Sequence, residues 1–213
     1  MTGRVLTLRE LNRATLARQL LLQRKRLSPT GVIEGLVGMQ AQWPQAPYVG
    51  IWTRTTSFRR EALERELVTG AVVKATVIRQ TLHLLTRGDY ALLQAARSET
   101  NFPEQSALAR RLAPAVRALA EKDPVTLAEA MAYLEAEHGL TGVKARRAWR
   151  GARIRAHVLH HHESALWHAR PERRFVAIEE PEGTTRPRRA PRSSFATSQR
   201  SGPRRAATSS PGA

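Results

Sequence analysis

Cysteine is absent from the 213 residues, which removes disulfide frameworks, thiol nucleophiles and cysteine-ligated zinc together. No apolar run approaches the roughly 18 residues that a membrane span requires. The N-terminal MTGRVLTLREL has no apolar signal core. No GxGxxG, Walker-type or GxSxG motif occurs, so nucleotide-dependent and serine-hydrolase classes lack support. HExxH is missing too. His160-His161-His162 beside Glu163 does not replace it, because adjacent histidines on a regular element cannot converge on one ion. The expectation is a soluble, cytoplasmic chain with no metal and no organic cofactor.

Lysine is scarce, 4 residues against 31 arginines, and the formal net charge is +17. Residues 184–213 hold seven arginines, no acids and one large apolar residue, Phe195. Such a segment cannot bury enough apolar surface to fold and reads as disordered. It is either a basic nucleic-acid tail or the product of a GC-rich coding sequence read out of frame. Without it the body carries +10, still basic enough to favour a polyanion.

The length fits one large or two small domains. Apolar spacing predicts helices over 8–22, 32–39, 48–55 and 59–68, with Ser28 as a cap before Pro29 and Gly70 as a terminator. Pro44 ends the second helix through its effect on the preceding residues. Residues 72–78 and 81–85 are β-branched or alternating and read as a hairpin around Arg79-Gln80. Asp89 then caps a helix to Ala96. Helices followed by a hairpin is the order of a winged helix-turn-helix, and also of a generic α+β domain. Further helices are expected over 106–120, with a break or kink at Pro114, from a Thr126–Glu129 capping box to Gly139, and over 143–151. Residues 153–160 and 173–179 would form a second small wing. Trp43, Trp52 and Trp149 read as core or partial core.

The sharpest local feature is GMQAQWP. Gln40 and Gln42, one residue apart in an extended segment, project to the same side. Each amide offers one acceptor and two donors, so the pair can hold a water and a polar substrate atom. An ordinary solvated turn accounts for the same residues. In Arg79-Gln80-Thr81-Leu82-His83 the tip of a wing meets phosphate or minor groove, or Thr81 and His83 simply pack and cap locally. Both readings stay open. Arg9, Arg13, Arg18, Arg24, Lys25 and Arg26 attract phosphate or form a solvated face.

A first helix over 7–22, then GLVGMQAQWPQAPYVGIWTR, then VIRQTLHLLTRGDYALL, resembles the AlkZ-type winged-helix DNA glycosylases. The resemblance covers roughly 5–180 and is strongest over 31–93. It implies tandem winged-helix units around a DNA-holding channel, and a glutamine–apolar–glutamine catalytic element at Gln40-Ala41-Gln42. It also places the hairpin bearing Arg79, Gln80, Thr81 and His83 near that element, as a DNA-binding feature. Members run to nearly twice this length. The likeness reads as ending at Thr184, which implies a C-terminally shortened chain.

The chemistry follows from the residue type. Glutamine does not titrate and cannot be a general base as a carboxylate can. A purine alkylated at a ring nitrogen already carries positive charge and leaves easily. Amide dipoles that position water and stabilise the sugar cation then suffice. The reading is a helix-rich α+β protein of tandem winged helix-turn-helix units with small hairpin wings: a first unit over 5–98, a partial second over 99–183, and the tail. Its function would be base excision repair by a monofunctional glycosylase, a monomer acting on double-stranded DNA. A non-catalytic winged-helix DNA-binding protein and an inactive glycosylase fragment are the alternatives.

Overall fold

The computed structural model describes residues 5–97, 106–169 and 172–179. The arginine-rich segment 184–213 lies outside the described residues, as does the expectation of disorder there.

Capping decides where the first elements begin. Thr7 starts α1 (Leu8–Arg18) in a reciprocal box with Glu10. The helix stops short of 22, as Leu20 takes a left-handed φ of 57°. None of its residues is buried, and Leu8, Leu11 and Leu16 face solvent. Ser28 and Pro29 open α2 (Pro29–Leu36) as expected, with Ser28 Oγ accepting from Gly31 N at 3.0 Å. Left-handed Val37 ends this helix earlier than 39, and Met39–Gln40 forms strand β1. Next come α3 (Ala46–Trp52), α4 (Arg60–Val68), β2 (Val72–Thr76) and β3 (Leu82–Thr86). A 3-10 turn over Ile78–Gln80 separates the two strands, so the expected strand residues 77, 78 and 81 belong to the connection. Asp89 is not the cap of α5 (Arg87–Arg97). Thr86 is: its hydroxyl accepts from Asp89 N at 3.1 Å and donates to the Asp89 carboxylate at 2.9 Å.

In the second half, α6 (Ala107–Lys122) begins at Ser106 and runs through Pro114 as a single helix, without the expected break. Strand β4 (Val125–Thr126) leads into α7 (Leu127–His138), whose Thr126–Glu129 box and left-handed Gly139 are as expected. α8 (Gly142–Arg155) takes in residues 153–155, expected as strand. Its 3.6-residue period continues that far, burying Ala145, Ala148, Trp149 and Ala152. Only Val158–His160 remains as β5, followed by a 3-10 turn over His162–Ala165 and by β6 (Arg174–Ala177).

The chain therefore repeats one succession, helix–strand–helix–helix–strand–strand, in α2 to β3 and again in α6 to β6. The two hairpins do not stand apart as separate wings. They merge in a six-stranded sheet of order β1-β3-β2-β5-β6-β4, antiparallel at every pairing. One rung crosses the sheet: Met39, Leu84, Lys74, His160, Phe175 and Val125. Val32, Ile33, Tyr48, Ile51 and Leu63 form the core on the first half of this face. Leu112, Val116, Leu134, Trp149 and Phe175 form it on the second. Behind the sheet, Tyr90 of α5 packs on Val73, Ala75, Leu85 and Leu159. Among the described residues no helix is long and apolar enough to cross a membrane.

Lys74 and His160 meet at the centre of this rung, where the two halves join. Lys74 Nζ donates to Ser164 O at 2.7 Å, and burial, reinforced by Arg173, lowers its pKa to about 8. Burial together with Arg153, Lys74 and Arg173 holds His160 well below its usual value. Both groups bind protons less readily folded than unfolded, so this part of the stability rises with pH. For Lys74 the rise lies between about 8 and 10.5; for His160 the stability is full above 6.5 and falls away below it. The thermal midpoint should therefore decline on acidification from about pH 7 to pH 5, and His160→Gln should flatten that slope. Lys74→Met should abolish the alkaline rise and only partly reduce the acid slope, because burial and Arg153 still hold His160 down. Melting curves across pH check both, and an undiminished acid slope in His160→Gln would contradict the assignment.

Candidate active site

Two consecutive left-handed residues turn the chain from α2 into β1. Val37 has φ 60° and Gly38 has φ 119°. A Cβ on Gly38 would stand 2.6 Å from Leu85 Cδ2 and 3.3 Å from the Leu84 carbonyl, so only glycine brings the chain this close to β3. The register then pairs Met39 with Leu84 and Gln40 with His83, and Ala41 N donates to Leu82 O at 2.8 Å. Ala41 is 1% exposed, in the core with Tyr48 and Ile51. That anchors the middle of the motif and sends Gln40 and Gln42 outward.

Both glutamines are exposed, and Gln40 Nε2 donates to Gln42 Oε1. Met39 and Gln40 are extended in β1, Gln42 lies in the bend that follows, and the two side chains meet on one side. The contact leaves Gln40 Oε1 as acceptor and Gln42 Nε2 as donor turned to solvent. Of the three tryptophans expected as core or partial core, Trp43 is 76% exposed beside the glutamines, Trp52 is 54% exposed and Trp149 is buried. The loop is tied down from beyond its end. Gln45 Nε2 donates to Trp167 O at 2.8 Å, and the Tyr48 hydroxyl donates to Ala165 O at 3.1 Å. Burial raises the Tyr48 pKa, which keeps this donor protonated. Tyr48 meets the edges of Trp167 and Phe58 in a 450 Å³ cleft that Trp52 also lines.

The hairpin tip adjoins this loop through β3. Arg79 and Gln80 both adopt left-handed φ, 50° and 59°, an arrangement that costs a non-glycine residue of order 1 kcal/mol. Arg79 is exposed. The Gln80 carbonyl accepts from Arg150 Nη2 at 2.9 Å. Thr81 and His83 are engaged locally: Thr81 Oγ1 donates to Ile78 O at 3.0 Å, and His83 Nδ1 lies 3.1 Å from Thr81 O. His83 is 9% exposed, so Arg79 is the tip residue most open to a ligand. Of the N-terminal basic residues, Arg24 is held over Trp52 and donates to two backbone carbonyls.

Sequence reasoning missed the arginines of α8. Arg146, Arg150 and Arg153 line one cleft of 280 Å³ against the hairpin, with Arg173 on the same wall. Their i, i+4, i+7 spacing marks one helix face, but with 153 assigned to a strand the pattern is broken. Among the described residues no group of three His, Asp or Glu is placed to hold a metal ion.

The sequence matches the DNA glycosylase AlkZ-like family over residues 33–208, beyond the point at 184 where the resemblance reads as ending. Among solved structures the chain is similar to Streptomyces sahachiroi DNA glycosylase AlkZ, with a TM-score of 0.57 at 20% identity. The alignment covers 76% of this chain and 47% of that one, so this chain spans about half its length. No curated protein matches.

Two substitutions test the construction of the site. Gly38→Ala should cost about 1–3 kcal/mol in denaturant unfolding, whereas Gly88→Ala, with open space around its Cβ in α5, should be neutral or stabilising by up to about 1 kcal/mol. Arg79→Gly should relieve strain and leave stability in the same unfolding measurement equal or raised by up to about 1 kcal/mol.

Proposed function

Since the chain belongs to the DNA glycosylase AlkZ-like family, we propose that it hydrolyses the N-glycosidic bond of alkylated purines in double-stranded DNA, with Gln40 and Gln42 as its catalytic pair. The observation that carries this reading is the pair itself: two amides in contact, turned to solvent, on a segment whose middle residue is locked in the core. We read the two repeats of helix–strand–helix–helix–strand–strand, each with its strands in the order first–third–second, as tandem winged-helix units.

The reaction is a displacement of purine by water. The water oxygen forms a bond to C1′ as the C1′–N9 bond breaks, and the bonding pair leaves with the base, discharging the positive charge of an N7-alkylated ring. The water's second proton passes to solvent. An amide oxygen orients the water and lies against the developing sugar cation, and an amide N–H fixes a neighbouring oxygen. Because no strong base is available in the pair, the substrate must bring its own leaving-group activation. That selects cationic or bulky N7 adducts over undamaged purines. A primary amide does not form an imine with the abasic sugar, so the activity is monofunctional and leaves the strand intact.

A second reading rests on the chain spanning 47% of the similar structure: a winged-helix DNA-binding piece without catalysis. One assay separates the two. Purified chain is incubated with a duplex holding a single N7-alkylguanine, and released base is quantified. Base release is expected, with Gln40→Ala/Gln42→Ala lower by about 100-fold or more and its binding to undamaged duplex unchanged. Unaltered release in the double variant would remove the glutamines from the mechanism, and binding without release would favour the second reading.

A further inference from the structure

We propose that the cleft between α8 and the tip of the β2–β3 hairpin is a seat for an internucleotide phosphate of duplex DNA, separate from the glutamine pair. Four arginines, Arg146, Arg150, Arg153 and Arg173, line its 280 Å³, and no carboxylate does. The guanidinium plane presents parallel N–H donors that match two oxygens of one phosphate, which a lysine ammonium does not. Like charges gathered on low-dielectric walls focus a positive potential at the mouth of a cleft.

The cleft is preorganised. Arg150 Nη2 is held at 2.9 Å by the Gln80 carbonyl, and Arg153 Nη2 at 3.0 Å by Thr76 Oγ1. Arg153 also lies 5.0 Å above the Phe175 ring. Two guanidinium groups are thereby fixed in place before a ligand arrives, while Arg146 and Arg173 are exposed at the lining. Duplex DNA is favoured as the anion because the seat opens beside exposed Arg79 on a chain of charge +17. It also sits on the third helix of its repeat, the position that helix-turn-helix proteins lay against DNA. Leu82 links seat and glutamines: the residue lines the cleft and its carbonyl accepts from Ala41 N. A strand gripped at the cleft is thus held in register with the amide pair across one β-strand. The identity of the anion rests on the DNA reading above, whereas the clustering of cations does not.

The test is the salt dependence of binding to an undamaged labelled duplex, measured on the full chain, alongside single-turnover base release. Arg146→Gln/Arg173→Gln should lose about tenfold or more in affinity and flatten the log–log salt slope by up to about 1, as one phosphate contact contributes about 0.9. A charge-matched control, Arg65→Gln/Arg111→Gln, removes two exposed arginines outside the cleft and should change the slope far less. Equal losses in both variants, or no change in the cleft variant, would overturn the seat. A wild-type chain that binds with the expected slope difference but releases no base would leave the seat standing and remove the catalytic reading. A wild-type chain with no salt-dependent binding would remove both.

Discussion

The two halves of the chain are joined where Lys74 of β2 lies opposite His160 of β5, and both residues are buried. Burying two basic groups against each other is costly unless one is neutral and the other is hydrogen-bonded. Both conditions are met at neutral pH. His160 is held neutral by its surroundings, and Lys74 places its ammonium on the Ser164 carbonyl. That bond has a second consequence, because Ser164 belongs to the turn whose Ala165 carbonyl receives the Tyr48 hydroxyl. The seam thus fixes the segment that anchors α3, and α3 follows directly from the glutamine loop.

Arginine continues this arrangement outward. Arg153 reaches from α8 to Thr76 and to the Val158 carbonyl, bridging β2 and β5 beside the Lys74–His160 rung. One turn earlier, Arg150 takes the carbonyl of Gln80 at the hairpin tip. The left-handed pair Arg79 and Gln80 is therefore stabilised from outside its own hairpin, as a strained turn must be if it is to persist. The positive charge that the composition gives as a bulk property becomes local and directed here. It binds the hairpin to the second half and leaves the guanidinium groups of Arg79, Arg146 and Arg173 exposed.

Much of this was legible in the sequence, and the limits of legibility are physical. Side chain–backbone capping acts over three residues, so Ser28, Thr126 and Gly139 could be read directly. The side-by-side placement of Gln40 and Gln42 follows from strand periodicity and was readable too. Two-residue strands were not. β1 and β4 carry no alternation of their own and exist only because β3 and β6 offer them a partner. They are what completes each repeat, so two helices-then-hairpin units could be expected from the sequence, but the full succession with its first strand emerged only from the topology. The end of α8 was misplaced because Arg153, a residue that reads as polar and exposed, is 6% exposed in a cationic seam. α1 shows the opposite failure: its apolar stripe is real, but Leu8, Leu11 and Leu16 stay exposed.

The choice of glutamine at positions 40 and 42 is consistent with this cationic setting. A carboxylate so near the seam and hairpin would be drawn into ion pairing with arginine, and its position would then depend on salt and pH. An amide pair has no charge to be captured. Its orientation is set by one backbone register, Gln40 opposite His83, and by the burial of Ala41 between the two side chains. Positioning of this kind demands rigidity of the strand more than reactivity of the side chain. Gly38, where a Cβ would meet Leu85 and the Leu84 carbonyl, sets that strand in place two residues before the first glutamine. The catalytic proposal and the phosphate seat thus draw on different physics within one sheet. Neutral dipoles are held by packing on one side of β3, and charge is held by hydrogen bonds on the other.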